Sequence, residues 1–177
     1  LSQQLTVRLI KNKISKLKGN TIKPNGSLLE PLKNHLSFEL TDDQNQAIKE
    51  ISQDQSSPNK MLRLIQGDVG SGKTIVALHS MIQCAENSKK SILMAPTEIL
   101  AEQHYNTIKL FTEKLKLSCS LITASNKNNH NYESDILIGT HALFQEKVSI
   151  DNIGLIVIDE QHRFGVHQRI LLNEKAG

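Results

Sequence analysis

The sequence predicts an α/β domain with a parallel sheet, built around a glycine-rich loop and preceded by a short helical linker. Three observations support this prediction. A glycine-rich loop joins an apolar run to a helix-compatible segment at residues 61–86, more apolar runs of strand length follow, and helical patterns alternate with most of them. Because these apolar runs are continuous, without polar alternation, we expect strands that are covered on both faces.

The glycine-rich loop at residues 67–74 matches the pattern G-x-x-x-x-G-K-[ST]. Its glycines let successive backbone N–H groups converge on an anion, and the following helix adds partial positive charge. Lys73 would reach the outer phosphates, and the Thr74 hydroxyl would help to hold Mg²⁺. The alternative is a glycine-rich turn with an accidental lysine. The predicted nucleotide-contacting residues of the loop are Gly67, Asp68, Val69, Gly70, Ser71, Gly72, Lys73 and Thr74.

The remaining elements follow from periodicity and capping signals. A capping-box pattern begins at Thr41 with Gln44 three positions later, and Thr97 with Glu98 begins a later helix. The polar, Asn-rich residues 125–134 are expected to form an exposed loop. Predicted strands cover residues 61–65, 91–95, 118–123, 135–138 and 153–158, and predicted helices cover residues 2–18, 28–36, 41–53, 75–86 and 97–115.

The charge is unevenly distributed along the 177 residues, although the net charge is only +3. Residues 1–35 contain seven Lys or Arg and one Glu, which gives +6, whereas the remainder carries −3. A basic arm on a mildly acidic body suggests a nearby polyanion, and a solvated helix face is the alternative.

Other features of the composition indicate a protein of the cytoplasm. No apolar stretch is long enough to span a bilayer, and no secretory signal is apparent. Cys84 and Cys119 lack the spacing of metal ligands, so we expect reduced, partly buried thiols.

Two adjacent carboxylates, Asp159 and Glu160, follow the last predicted strand. In open α/β sheets, the carboxyl ends of the strands border the ligand crevice. Asp159 would then hold Mg²⁺ through its water shell, and Glu160 would accept a proton from the water that attacks the γ-phosphate. Taken alone, such a pair is more often a helix start; the upstream phosphate loop favours the functional interpretation.

Four phrases resemble superfamily 2 helicase motifs and, more narrowly, the RecG family of branched-DNA helicases. They are GDVGSGKT at 67–74, APTEILAEQH at 95–104, GTHALFQ at 139–145 and DEQHRFGV at 159–166. The resemblance implies a RecA-like motor domain at residues 37–177, with residues 1–36 similar to the linker after that family's DNA-binding wedge domain. The transcription-repair coupling translocases are the closest competitor, but they usually carry Phe and Glu in place of Ser71 and Gln161.

The resemblance implies an ATP-dependent DNA helicase, with ATP and Mg²⁺ as cofactors, that remodels stalled forks and Holliday junctions in recombination and repair. Phe38 and Gln44 correspond to the adenine-sensing motif, although the capping box alone would account for Gln44. Asp159 and Glu160 correspond to the Mg²⁺-associated acid and the catalytic base. Gln161 and His162 correspond to residues that link the ATP site to the DNA side, and a capping or packed histidine is the alternative for His162.

The resemblance also implies that branched or single-stranded DNA is held by its backbone. Hydroxyl groups and N–H groups at helix starts suit this task, because phosphate contacts position a strand without discriminating sequence. Ala124 stands where the family usually has glycine, and the Asn-rich segment is short for the family's charged helix. The corresponding DNA-binding residues are Pro96, Thr97, Thr123, Ser125, Thr140 and His141.

The family's wedge domain and second motor domain have no counterpart in this sequence, and the second domain supplies the arginine that stabilises the transferring phosphoryl group. We therefore expect the isolated chain to bind ATP–Mg²⁺ weakly, to hydrolyse it slowly at best and not to unwind DNA. Other classes with this loop are small-molecule kinases and transporter ATPases, but neither a lid with an acceptor pocket nor a transporter signature is visible. A non-catalytic module that binds DNA or a partner through the basic arm is a further alternative.

Overall fold

The computed structural model describes residues 17–125, 131–144 and 150–160, and they form a parallel sheet with helices packed against it. In chain order the elements are α1 (Leu29–His35), α2 (Asp42–Gln55), α3 (Lys73–Glu86), β1 (Lys90–Met94), α4 (Glu98–Lys114), β2 (Cys119–Ile122), β3 (Ile136–Gly139), a 3₁₀ helix (His141–Phe144) and β4 (Ile153–Ile158).

The sheet has the strand order β2-β3-β1-β4, and every neighbouring pair is parallel. Met94 at the end of β1 lies opposite Gly139 of β3 and Ile158 of β4, so these strands end at the same edge. The prediction of a parallel sheet is therefore confirmed, with four strands among the described residues instead of five.

Alternate side chains of each strand enter two apolar clusters on opposite faces of the sheet. Leu93 and Ile138 belong to the larger cluster, with apolar residues of α2, α3 and α4. Ile92 and Leu137 belong to the smaller one, where Leu143 of the 3₁₀ helix also lies. Burial on both faces explains why these strands are apolar throughout.

The helices begin where the capping signals predict. Thr41 and Gln44 form the capping box of α2, and the Thr97 hydroxyl accepts a hydrogen bond from the backbone N–H of Leu100 at the start of α4. Within the described ranges, no helix combines the length and the apolar character that crossing a bilayer requires.

The prediction of a strand at residues 61–65 is wrong. This segment precedes the phosphate loop without joining the sheet, and Leu62, Leu64 and Ile65 are 37%, 61% and 37% exposed. Instead, the Arg63 guanidinium binds Glu50 and Asp54 of α2 at 2.6 and 2.8 Å. An apolar run becomes a strand only where a neighbouring strand takes up its backbone hydrogen bonds, and none of the four described strands pairs with this run.

Residues 19–36, in the described part of the predicted linker, pack tightly against α3 and its neighbours. Ile22 and Leu32 are buried, and the Glu86 carboxylate at the end of α3 accepts N–H hydrogen bonds from Asn25, Leu28 and Leu29 at 2.8–3.0 Å. The predicted helix at residues 2–18 falls outside the described residues except for its last two positions, which form a bend and an isolated bridge to Asn59.

Ser125, Asn131 and Glu133 of the Asn-rich segment are exposed as predicted, but its carboxyl-terminal end is not. Residues 126–130 lie outside the described ranges, but Tyr132 packs against the smaller apolar cluster and Ser134 is 1% exposed. The Ser134 hydroxyl lies 2.7 Å from that of Ser120 on β2, so the end of this segment lies against the sheet.

The two cysteines are free thiols, and burial raises the pKa of each to about 12. Such thiols stay protonated at neutral pH and are poor nucleophiles. This agrees with the expectation of reduced, buried cysteines.

His79 of α3 makes stability depend on pH. Its burial, with a smaller contribution from Lys33 and against the opposing charge of Glu86, lowers its pKa from 6.5 to about 4. The folded chain therefore binds fewer protons than the unfolded chain between these values, so the free energy of unfolding should fall as pH drops from 6.5 towards 4, by up to about 3 kcal/mol.

We expect His79→Leu to flatten this pH dependence in chemical denaturation at pH 7 and pH 5. The substitution should be well tolerated, because the buried Nδ1 atom of His79 has no hydrogen-bond partner among the described residues. His35→Gln, at an exposed histidine, is the control and should keep the wild-type slope. If stability changed equally with pH in all three proteins, the pH dependence could not be assigned to His79.

Candidate functional site

The phosphate loop depends on two glycines in the left-handed region. Gly70 has φ of +81° and Gly72 has φ of +79°, and Gly72 is the residue from which α3 begins. A side chain at Gly72 would also collide with the Gln44 amide, whereas one at Gly70 would meet nothing within 4 Å. The loop thus bends at two positions where glycine avoids backbone strain. At Gly72, the absence of a side chain also lets the backbone of the loop lie close to α2.

Lys73 folds back into this loop. Its ammonium donates hydrogen bonds to the carbonyl oxygens of Gly67 and Asp68 at 2.8 and 2.7 Å, with the Ser71 hydroxyl at 3.5 Å. The positive charge is therefore held at the centre of the loop, beside the first turn of α3. This is where an anion would benefit from both the lysine and the helix terminus.

Gln44 makes the predicted capping contact and also contacts the phosphate loop, whereas its adenine-sensing role stays a prediction. Its side-chain oxygen accepts from the Thr41 N–H at 2.9 Å and its backbone N–H donates to the Thr41 hydroxyl, which completes the capping box. The nitrogen of the same amide donates to the Ser71 carbonyl at 2.9 Å. The start of α2 is thereby attached directly to the phosphate loop.

A cavity of about 470 Å³ lies beside the loop, and it brings several predicted site residues together. Phe38 and Gln44 form part of its wall, and Thr74 another part. Its remaining side is apolar and includes residues of α4. Val69 is fully exposed at the tip of the loop and is not part of the wall. The lining residues are Phe38, Glu39, Thr41, Gln44, Gly70, Gly72, Thr74, Ile75, Leu78, Thr107, Ile108 and Phe111.

Asp159 follows β4 at the edge where the strands end, and its N–H continues the sheet by donating to Met94 at 2.9 Å. A hydrogen bond with His104 lowers the pKa of its carboxyl group, and the positive charge of Lys73 lowers it further. The acid at the strand end therefore lies within electrostatic range of the loop lysine. Glu160, next in the chain, is half-buried with φ of +48°, a conformation that is strained for a side-chain-bearing residue.

His104 is a site residue that the sequence analysis missed. Its Nε2 atom lies 2.8 Å from Oδ2 of Asp159, and its side chain is 15% exposed. In α4 it occupies the same face as the buried residues Ala101 and Ile108. The sequence did contain a signal, since a histidine at an otherwise apolar face of a helix usually needs a polar partner inside the protein.

The groups around Asp159 suit a Mg²⁺ ion that is bound jointly by the protein and by phosphates. They suit less well a metal ion that is held by protein side chains alone. Among the residues that the structure describes, no three His, Cys, Asp or Glu side chains cluster as metal ligands. Mg²⁺ commonly binds one or two protein oxygens, several waters and substrate phosphates. The ionised Asp159 carboxylate and the hydroxyl of Thr74 on the cavity wall are groups of this kind.

The predicted DNA-binding residues lie near the same edge, and Glu98 connects several of them. Its carboxylate accepts from the Ser125 hydroxyl at 2.7 Å and from the Ser125 N–H at 3.3 Å. Ser125 also lowers the pKa of Glu98, and the charge of His141 lowers it slightly. The segments after β1, β2 and β3 therefore converge here, with Thr97 and Pro96 at the start of α4.

Not all of these groups are accessible in the structure. Thr123 and Thr140 are 0% and 3% exposed, and the Thr140 hydroxyl accepts from the Ala142 N–H at 3.5 Å, within a turn. Thr97 and His141 are exposed. Gln161 and His162 lie outside the described residues, so their coupling roles stay predictions.

Comparisons with known proteins agree with this architecture. The DEAD/DEAH box helicase family model matches residues 41–175. The ATP-dependent DNA helicase RecG of Synechocystis is 45% identical over 162 residues, which cover 86% of this chain and 20% of that protein. The Aquifex aeolicus RecG is 44% identical over 185 residues, which cover 98% of this chain and 23% of that protein. The predicted resemblance to RecG is confirmed.

Solved structures show the same fold. A RecG structure bound to a three-way DNA junction matches with a TM-score of 0.79 and 38% identity, over 92% of this chain and 24% of that one. Yeast dbp5 matches with a TM-score of 0.66 and 20% identity, which supports the fold alone. The RecA-like fold is thus confirmed. The chain spans about a fifth to a quarter of the length of these RecG relatives.

The two loop glycines offer a matched pair of substitutions. Ala at either position incurs left-handed strain of about 1–2 kcal/mol, but only Ala at Gly72 also meets Gln44. We expect Gly72→Ala to lower the free energy of unfolding more than Gly70→Ala in chemical denaturation, because Gln44 must move and give up hydrogen bonds that are typically worth about 1 kcal/mol each. Adding Gln44→Ala to Gly72→Ala should recover part of the difference in the free energy of unfolding. Equal losses of stability in Gly70→Ala and Gly72→Ala would refute the contact between position 72 and Gln44.

Proposed function

Because the chain belongs to the DEAD/DEAH box helicase family, we propose that it is the first ATP-binding motor domain of an ATP-dependent DNA helicase. In this assignment residues 37–177 form the motor domain, and residues 1–36 are a linker from a preceding DNA-binding domain. The observation that carries the proposal is the convergence of Phe38, Gln44 and Thr74 on one cavity, with Asp159 in electrostatic range of Lys73.

Each residue has a defined task in ATP hydrolysis. Phe38 and Gln44 contact the adenine, the backbone N–H groups of the loop and Lys73 bind the phosphates, and Thr74 and Asp159 hold Mg²⁺. When bound, Mg²⁺ neutralises charge on the phosphate oxygens. Glu160 accepts the proton of the attacking water, a task that its place beside Asp159 allows.

Hydrolysis by this chain should be slow, because the similarity to RecG implies that a second motor domain supplies the arginine for the transferring phosphoryl group. Arg63 is the arginine within the described ranges, and α2 engages it with two carboxylates. An arginine that contacts this group is typically worth about 10³–10⁵ in rate. A second motor domain of the parent protein would supply it.

The substrate of the parent protein is branched DNA, such as stalled forks and Holliday junctions in recombination and repair, and the protein acts in the cytoplasm. The similarity to RecG, and the RecG structure with a three-way junction, support this proposal. In the present chain, the start of α4 with Pro96 and Thr97, the Ser125 segment and the exposed His141 are the DNA contacts. Thr123 and Thr140 contribute by shaping the adjacent turns.

The nucleotide assignment can be tested by calorimetric titration with Mg²⁺ and a non-hydrolysable ATP analogue. We expect Lys73→Ala to weaken binding at least tenfold, because it removes the charge at the centre of the loop. Lys49→Ala, at an exposed lysine of α2, is the control and should bind like the wild type. Equal affinity of the wild type and Lys73→Ala would contradict the site.

The assignment of the catalytic base predicts a different outcome for Glu160→Gln. This variant should bind the analogue with nearly unchanged affinity, since the side chain keeps its size and the loop is untouched. Its ATP turnover, followed by phosphate release over long time courses, should fall by about 10²-fold or more. Turnover that matches the wild type would exclude Glu160 as the base.

A further inference from the structure

The contact between His104 and Asp159 joins two distant parts of the site. The residues are 55 positions apart, one in the second turn of α4 and the other directly after β4. Their side chains are 15% and 31% exposed, so the hydrogen bond is largely shielded from water. His104 is the last residue of the helicase-like phrase at 95–104, and the resemblance gave it no task.

The chemistry of the contact defines its direction. An ionised carboxylate has only acceptor atoms, so the His104 nitrogen that faces it must carry a hydrogen and donate. The bond engages Oδ2 of Asp159 at 2.8 Å. It therefore restricts rotation of the carboxylate and sets the direction of the lone pairs that remain for another partner.

The attachment of both residues makes this restraint rigid. The backbone of Asp159 is fastened to β1 through its N–H and the Met94 carbonyl. His104 projects from a 17-residue helix that begins at the Thr97 cap and packs on the sheet through Ala101 and Ile108. The backbones of both partners are therefore fixed to the core.

We propose that His104 is a positioning residue that orients the Asp159 carboxylate for the Mg²⁺ bound with the nucleotide. This inference rests on the proposed function, since Asp159 must be the metal-associated acid. Hydrogen-bond partners of metal-binding side chains commonly change metal affinity by about 10–100-fold when they are removed. His104 would act on the metal through Asp159 and not by contacting the nucleotide.

The test uses Mn²⁺ as a spectroscopic probe in place of Mg²⁺. Mn²⁺ binding to the ADP-loaded chain is measured by electron paramagnetic resonance, and ADP affinity is measured separately in EDTA. His104→Leu removes the donor, and His104→Gln keeps a donor at a similar distance from the backbone. His35→Leu, at an exposed histidine of α1, is the matched control.

We expect His104→Leu to weaken Mn²⁺ binding by about 10–100-fold and to leave ADP affinity in EDTA within about twofold. His104→Gln and His35→Leu should bind Mn²⁺ within about threefold of the wild type. Unchanged Mn²⁺ affinity in His104→Leu, or equal losses in the Leu and Gln variants, would overturn the positioning role and leave the nucleotide site intact.

Two other outcomes would also decide whether His104 is a positioning residue. If both variants at position 104 lose their folded circular dichroism spectrum, His104 is a structural residue and the inference is wrong. If the wild-type chain binds neither ADP nor Mn²⁺ with ADP, the proposed function itself fails, and the positioning role fails with it.

Discussion

The parallel pairing of β1 with β4 is the constraint on which the site depends. With Met94 opposite Ile158, the residues that follow both strands leave the sheet at the same edge. The hydrogen bond from the Asp159 N–H to Met94 extends this alignment into the acidic pair. A register shift of one residue would turn Asp159 to the other face of the sheet, away from both His104 and Lys73.

Helix α2 supports the phosphate loop in place of a neighbouring strand. Near its start, the Gln44 amide holds the Ser71 carbonyl, and in its later turns Glu50 and Asp54 hold Arg63 in the segment before the loop. Half-exposed ion pairs of this kind contribute modestly to stability, but a guanidinium held by two carboxylates of one helix has a restricted orientation. The loop is therefore positioned from both sides by one helix.

The electrostatics of the sheet edge separate two neighbouring regions. On one side, the hydrogen bond from His104 and, to a smaller extent, the positive charge of Lys73 lower the pKa of Asp159, whose carboxylate suits a cation with phosphates. On the other side, Glu98 binds Ser125 and lies near His141, where DNA contacts are proposed. Helix α4 borders both regions, with Thr97 at its cap and His104 two turns later.

The sequence by itself determined the local elements, because their signals lie within short segments. The continuous apolar runs of β1, β3 and β4, the Thr41 capping box and the glycine loop all depend on residues near one another. Only the tertiary structure decided the strand order, the failure of residues 61–65 to pair, and the contact of His104 with Asp159 across 55 positions. Such pairings depend on which distant segments become neighbours when the chain folds, and no local pattern contains that information.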